Sequence, residues 1–264
     1  MQTTPLCGYL DREEKSCLQT LENAYAALRT SWHGEWVGLP LLLQECIRYL
    51  GIENKEVSLP AAQMLKAAER VAQEIEASFA NDLFLIEPLY HNRLHFADAI
   101  TTVSVQIAIQ SHLKQDFNAE WSACALLSCM AHDFGHNGRI NQFESELEKY
   151  AIELLQPILD ECGVVGLWRD WTEKCILQSD FALVQKNHEA VKDTIFEWDL
   201  KWLVVFLNES DVMASASTNF GLAMGEALAS EWEKIDDVAH KMIATPEGRK
   251  GFLKIIEFSS PSSK

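Results

Sequence analysis

The sequence predicts an all-α protein, a compact multi-helix domain, and three observations carry that expectation. Glycine (12) and proline (7) are sparse in 264 residues and fall at segment boundaries. No apolar–polar alternation of a strand persists, and no Asn-Gly or Asp-Gly turn separates two apolar runs. Long segments instead repeat apolar residues at three- and four-residue steps. The clearest is Met64, Leu65, Ala68, Val71, Ala72, Ile75 and Phe79, which share one helical face and read as core or helix-packing seam.

Helices are expected near 11–30, 38–50, 59–80, 92–114, 118–132, 140–158, 165–180 and 197–217, with two more near 221–243 and 246–257. The segment Gly51-Ile52-Glu53-Asn54-Lys55 is the strongest internal break. The organisation expected is an N-terminal helical subdomain over 1–80, a core carrying the chemistry over 81–258, and a disordered tail over 259–264. That tail reads Ser259-Ser260-Pro261-Ser262-Ser263-Lys264, a polar run of the kind that frays.

Composition narrows the function classes. A net charge of −17 repels phosphate backbones, so DNA and RNA are not expected partners. A small anionic substrate is still allowed, because a bound cation reverses the potential locally. Seven cysteines without a CxxC pair point to reduced thiols and a cytoplasmic setting. The longest apolar runs, such as Leu203-Val204-Val205-Phe206-Leu207, are too short to span a bilayer, and Met1-Gln2-Thr3-Thr4-Pro5 has no signal-peptide character. No membrane association is expected, and a homodimer is left open.

Three polar clusters stand out. In His91-Asn92-Arg93-Leu94-His95 a spacing of four puts both imidazoles on one helix face. They could share a metal, or one could bind it while the other acts as an acid. Asp98 follows on the same side, within reach of a histidine ring nitrogen. In Ala131-His132-Asp133-Phe134-Gly135-His136-Asn137-Gly138-Arg139-Ile140-Asn141 an apolar approach from Cys124 delivers an imidazole and a carboxylate together. Buried His and Asp need partners, and a divalent ion satisfies both. In Leu207-Asn208-Glu209-Ser210-Asp211 a polar cluster interrupts an apolar helix, and Asp211 would complete a two-His, two-Asp site. His33, His112, His188 and His240 stand alone and carry no such signal.

These residues resemble the class I cyclic nucleotide phosphodiesterases of the HD-domain superfamily. Tyr90-His91-Asn92-Arg93-Leu94-His95-Phe96-Ala97-Asp98 is similar to the family's Y-H-N-x-x-H-x-x-D. His132 through Phe143 fits H-D-x-x-H-x-G-x-x-N-x-hydrophobic, and Ile176-Leu177-Gln178-Ser179-Asp180 is similar to I-L-x-x-D. The resemblance covers roughly 85–257 and implies an HD/phosphodiesterase-type helical domain that hydrolyses cyclic AMP and/or cyclic GMP to the 5′-monophosphate. It implies two divalent ions: Zn²⁺ held by His95, His132, Asp133 and Asp211, and Mg²⁺ or Mn²⁺ bridged through Asp133. By the same resemblance His91 would be the general acid, and His136, Asn141, Asp180 and Glu148 would stand near the metals. The Glu148 match requires a deletion in the loop after Phe143. Tyr90, Phe252 and Arg249 would face the substrate.

The chain departs from the family at the base. The glutamine that usually fixes the purine is Arg249, ahead of Gly251-Phe252, and the asparagine three residues after the last metal-binding aspartate is Ala214. A guanidinium facing the pocket would favour guanine, whose O6 and N7 are acceptors, whereas an Arg249 facing water would leave base selectivity weak. Two other readings compete: another HD-superfamily nucleotide phosphohydrolase, and a non-catalytic nucleotide-binding module. His91 and the H-x-G-x-x-N continuation favour the phosphodiesterase.

Overall fold

In the computed structural model, which describes residues 17–54, 57–81 and 87–264, the chain forms twelve α-helices and, among those residues, no strand. They are α1 (Cys17–His33), α2 (Leu39–Tyr49), α3 (Leu59–Asn81), α4 (Arg93–Lys114), α5 (Ala119–Ala131) and α6 (Glu146–Cys162). There follow α7 (Gly166–Leu177), α8 (Val184–Val191), α9 (Leu200–Ala216), α10 (Gly221–Trp232), α11 (Asp237–Ile243) and α12 (Pro246–Ile255).

Three helices are buried over most of their length and form the centre. Every residue of α5 from Trp121 to Ala131 is buried, as is α4 from His95 to Ile107 and most of α9. The other helices pack around these: α3 and α6 flank α5, α1 and α2 cover α4, and α7 and α8 close the side of α9. The stripe on α3 behaves as its spacing requires, with Met64, Ala68, Val71, Ala72 and Ile75 buried and Leu65 and Phe79 packed at the edge. One core cluster runs from Leu21 on α1 to Ala214 on α9, so residues from both sides of position 80 share it.

Helix ends explain where the expected spans shift. The Asn92 side chain accepts the His95 amide, Asn118 that of Trp121 and Asp199 that of Trp202, so α4, α5 and α9 begin at side-chain caps. The helix expected over 140–158 starts only at Glu146, because Ser145 is left-handed (φ 55°) and 140–144 form a loop. The span 221–243 is two helices, because Asp236 accepts the amides of Val238 and Ala239 and starts α11 anew. The short α8 has no counterpart among the expected helices. Residues 11–16 of the first expected helix lie outside the described residues.

The 259–264 segment corrects the expectation of a disordered tail. It folds back onto α4 and α9, with Ser260 and Ser262 buried. Serine hydroxyls and amides at 259, 260 and 263 donate to the buried Glu209 carboxylate, and the Ser259 hydroxyl pairs with His188 Nδ1 at 2.8 Å. A polar run that would fray in water is held because a buried carboxylate needs donors.

Helix α1 is tied to the centre by a second buried carboxylate. Arg29 on α1 donates both guanidinium arms to Asp98 on α4, at 2.8 Å each, and its guanidinium lies 4.5 Å from the centre of the Phe220 ring. Asp98, whose position suggested a histidine partner, is taken by this arginine instead. Removing one member of a buried pair strands the other, at a cost of about 3–5 kcal/mol. Arg29→Met is therefore expected to lower unfolding free energy by that order in urea denaturation. A loss below about 1 kcal/mol, the scale of an exposed ion pair, would contradict it.

Candidate metal centre and active site

Three central helices deliver four side chains to one point. His95 lies in the first turn of α4, His132 caps the end of α5, Asp133 follows it, and Asp211 projects from α9. The His95 Nε2 atom lies 3.2 Å from Asp133 Oδ2 and 3.1 Å from Asp211 Oδ1; His132 Nε2 lies 3.3 and 3.6 Å from the same oxygens. All four ligand atoms fall within 4.8 Å of one another. These are the four residues the sequence assigned to the metal.

The donor set fits a divalent cation. The His132 Nδ1 atom is 2.7 Å from the Cys129 carbonyl oxygen, so in the neutral ring the proton resides there and Nε2 is the atom left to bind a cation. Both Nε2 atoms are buried and lack a well-formed hydrogen bond. Two orphaned imidazole nitrogens facing two carboxylates make a borderline-hard site, and these four residues can hold a metal ion.

Electrostatics report the same crowding. Burial opposes charge on all four groups, yet the pairing prevails: His95 is pushed up to about 9 by Asp133 and Asp211, and His132 is raised well above its ordinary value. Asp133 and Asp211 are held well below the carboxylate range by the same histidines. Without a cation the imidazoles therefore carry protons to balance the carboxylates.

Beside this group stands His91, brought forward from the turn that precedes α4. Its Nδ1 lies 2.5 Å from Glu231 Oε1 on α10, and Glu231 Oε2 accepts the amides of Tyr90 (2.7 Å) and His91 (3.1 Å). The His91 ring stacks on His136 with centroids 3.8 Å apart. The Gly138 amide donates to His136 Nδ1, and burial together with the neighbouring His91 lowers His136 to about 3, so it stays neutral. Gly135, at φ +81°, makes the turn that returns His136 to the site; a Cβ there would strike Leu154. Nothing in the sequence singled out Glu231. It lies 140 residues from His91 and shares its stretch with Glu226 and Glu233.

The remaining expected residues separate into two sets. Asn141 Nδ2 donates to Glu148 Oε2 at 3.0 Å, and burial raises Glu148 to about 7. Both line the same cavity as the metal group. Asp180 also lines it, but its carboxylate accepts the Ser145 and Ala182 amides and so fixes the starts of α6 and the following turn. Tyr90 is buried, its hydroxyl 2.9 Å from the Ser215 hydroxyl and its ring 4.9 Å from His95. Phe252 stacks on Phe181 with centroids 6.5 Å apart across the pocket lining. Arg249 also lines the pocket, but its guanidinium bonds the Gly221 carbonyl at 2.5 Å and reaches that of Ser215 at 3.4 Å.

The cavity, of about 1600 Å³, runs from the metal group to an apolar end formed by Leu222, Met224, Leu228, Trp232, Val238 and Met242 on α10 and α11. Among the described residues no helix is long and apolar enough to cross a membrane.

The helix ends thus gather two histidines and two aspartates that could hold a metal ion, with a third histidine alongside. Residues 90–156 match the family described as 3'5'-cyclic nucleotide phosphodiesterase. That segment contains His91, His95, His132, Asp133, His136, Asn141 and Glu148, so the resemblance read from the motifs holds where they are densest. No curated protein matches the chain.

Metal uptake must expel the protons held by His95 and His132, because only neutral imidazole ligates. Since these groups are raised, with His95 at about 9, affinity for a divalent ion is expected to climb from neutral pH towards pH 9. Calorimetry in buffers of different ionisation enthalpy should detect protons released on binding at pH 7. Proton-neutral binding would contradict this electrostatic picture.

Proposed function

We propose that the chain hydrolyses the 3',5'-phosphodiester of a cyclic nucleotide, cyclic AMP and/or cyclic GMP, to the 5'-monophosphate. The observation that carries the reading is the convergence of the buried His95 and His132 Nε2 atoms on Asp133 and Asp211, three of these residues (His132, Asp133 and Asp211) lining a pocket. These four residues would hold the first ion, Zn²⁺ by the borderline character of the set, with Asp133 shared with a Mg²⁺ or Mn²⁺ ion. Divalent cations there would supply a lowered pKa for water and compensate charge on the phosphate.

The chain's own residues do the rest. With Nδ1–H donated to Glu231, the doubly protonated form of His91 would present its second proton, on Nε2, to the departing ribose oxygen and be left as the neutral Nδ1–H ring. Held at two backbone amides as well, the carboxylate fixes both the height and the tilt of that ring. The stacked His136, kept neutral, limits the ring's freedom to swing without adding a competing charge. Asn141 and Glu148 bracket the polar floor, and the Glu148 carboxyl, raised to about 7 by burial, can hold or release a proton near neutral pH. The apolar end and the Phe252–Phe181 pair suit a flat base.

His91→Ala is expected to retain its metal while turnover falls roughly 10²–10⁴-fold, the scale of a lost general acid. A substrate analogue with a better leaving group should lose far less. The assay is hydrolysis of both cyclic nucleotides by Mn²⁺-loaded protein, with chelation abolishing it. Loss of metal in the variant with an unchanged rate per loaded molecule would assign His91 to the ligands instead.

Base discrimination is expected to be weak, since Nη1 of the Arg249 guanidinium is engaged by two backbone carbonyls. Competition kinetics on Arg249→Ala should leave the kcat/KM ratio of the two nucleotides unchanged. A ratio that moves by about tenfold, or 1.4 kcal/mol, would return Arg249 to the base.

A further inference from the structure

Among the described residues, the most heavily hydrogen-bonded carboxylate lies outside the metal group. Glu209 precedes Asp211 by two residues on α9, a step of about 200° that turns it to the far side of the helix. It is fully buried. Its Oε1 accepts the amides of Ser259 and Ser260, at 2.6 and 2.7 Å. Its Oε2 accepts the hydroxyls of Ser260 and Ser263, each at 2.6 Å, and Gln106 Nε2 at 2.9 Å. Two successive backbone amides on one oxygen form an anion cradle of the kind found in nests, here filled by the chain's own carboxylate. Among the described residues all its donors are neutral, so its burial is sustained by hydrogen-bond number alone.

The elements joined at Glu209 are those that build the site. Gln106 belongs to α4, which carries His95; Glu209 belongs to α9, which carries Asp211. Residues 259–263 follow the α10–α12 segment that walls the pocket, so they fasten the end of that wall to α9. Apolar packing between helices is non-directional and tolerates rotation about the axis. A buried carboxylate with five directed bonds does not, because turning α9 would strand both the acceptor and its donors.

We propose that Glu209 is a positioning residue for the metal centre: by gripping residues 259–263 and Gln106, it fixes the rotation of α9 that aims Asp211 at His95 and His132. The proposal rests on the metal-centre reading above. It also gives the 259–263 segment a role, as the clamp that Glu209 holds. Because the grip lies on the opposite face of α9 from the pocket, its loss should act on metal affinity through Asp211 without touching substrate.

The test is Mn²⁺ and Zn²⁺ affinity, by calorimetry on the full chain, for wild type, Glu209→Gln and the pair Ser260→Ala/Ser263→Ala. Leu42→Ala, a buried change on α2, serves as a control for general loss of stability. Both the Glu209 and the serine variants are expected to bind metal roughly 10–100-fold more weakly, the scale seen when groups behind a ligand are removed. Turnover should recover at high metal concentration. The Leu42 variant should lose thermal stability while keeping its metal affinity. If Glu209→Gln does not fold, the serine pair carries the test. Wild-type affinity in the serine pair, or an equal loss of affinity in Leu42→Ala, would overturn the positioning role. Failure of the wild type itself to take up metal would instead remove the metal centre, and this inference with it.

Discussion

Two buried imidazole nitrogens, each 3.1–3.6 Å from two carboxylates below the surface of the protein, are the constraint on which the rest of the structure depends. Such a cluster is costly to assemble unless its charges are balanced. The three helices that supply it are accordingly the most buried, and their rotations are fixed by polar bonds at several points. Arg29 grips α4 through Asp98, the Cys129 carbonyl sets the His132 ring, and Glu209 fastens α9 from behind. The outer helices provide the apolar burial that keeps these polar bonds dry and strong.

The same arrangement divides labour between adjacent histidines. His91 and His95 lie four residues apart, and the sequence left open whether they share an ion. The structure separates them by their partners: His95 faces Asp133 and Asp211, whereas His91 faces Glu231 and stacks on His136. The difference comes from the chain leaving the helix. His95 is inside α4, while His91 precedes the Asn92 cap and so points away from the ladder of the helix. A single capping asparagine between the two motif histidines thus gives them different surroundings.

Much of this was legible in the sequence because it is encoded locally. The His91–His95 spacing, the His132-Asp133 pair after an apolar helix and the polar break at Asp211 each lie within a few residues. The expectation that His91 shares a helix face with His95 does not hold, because α4 begins only after the Asn92 cap. What escaped the sequence is set by helix packing across long separations. Glu231 meets His91 over 140 residues, Glu209 meets Ser259 over 50, and Arg29 meets Asp98 over 69. Local composition even misled at the tail, where a serine-rich run reads as frayed until its buried acceptor is known. Arg249, which the sequence left between a base-reading fork and a solvent-facing position, bonds carbonyls where α9 gives way to α10.

The central claim, that these helices are arranged around a metal ion, is tested most directly by anomalous diffraction from crystals grown with Zn²⁺ or Mn²⁺. The account predicts a strong peak about 2.0–2.2 Å from His95 Nε2, His132 Nε2 and the carboxylate oxygens of Asp133 and Asp211. A peak among His91, His136 and Glu231 instead, the second group of ligand atoms close enough to share an ion, would contradict it. So would the absence of any peak with the four side chains still converged.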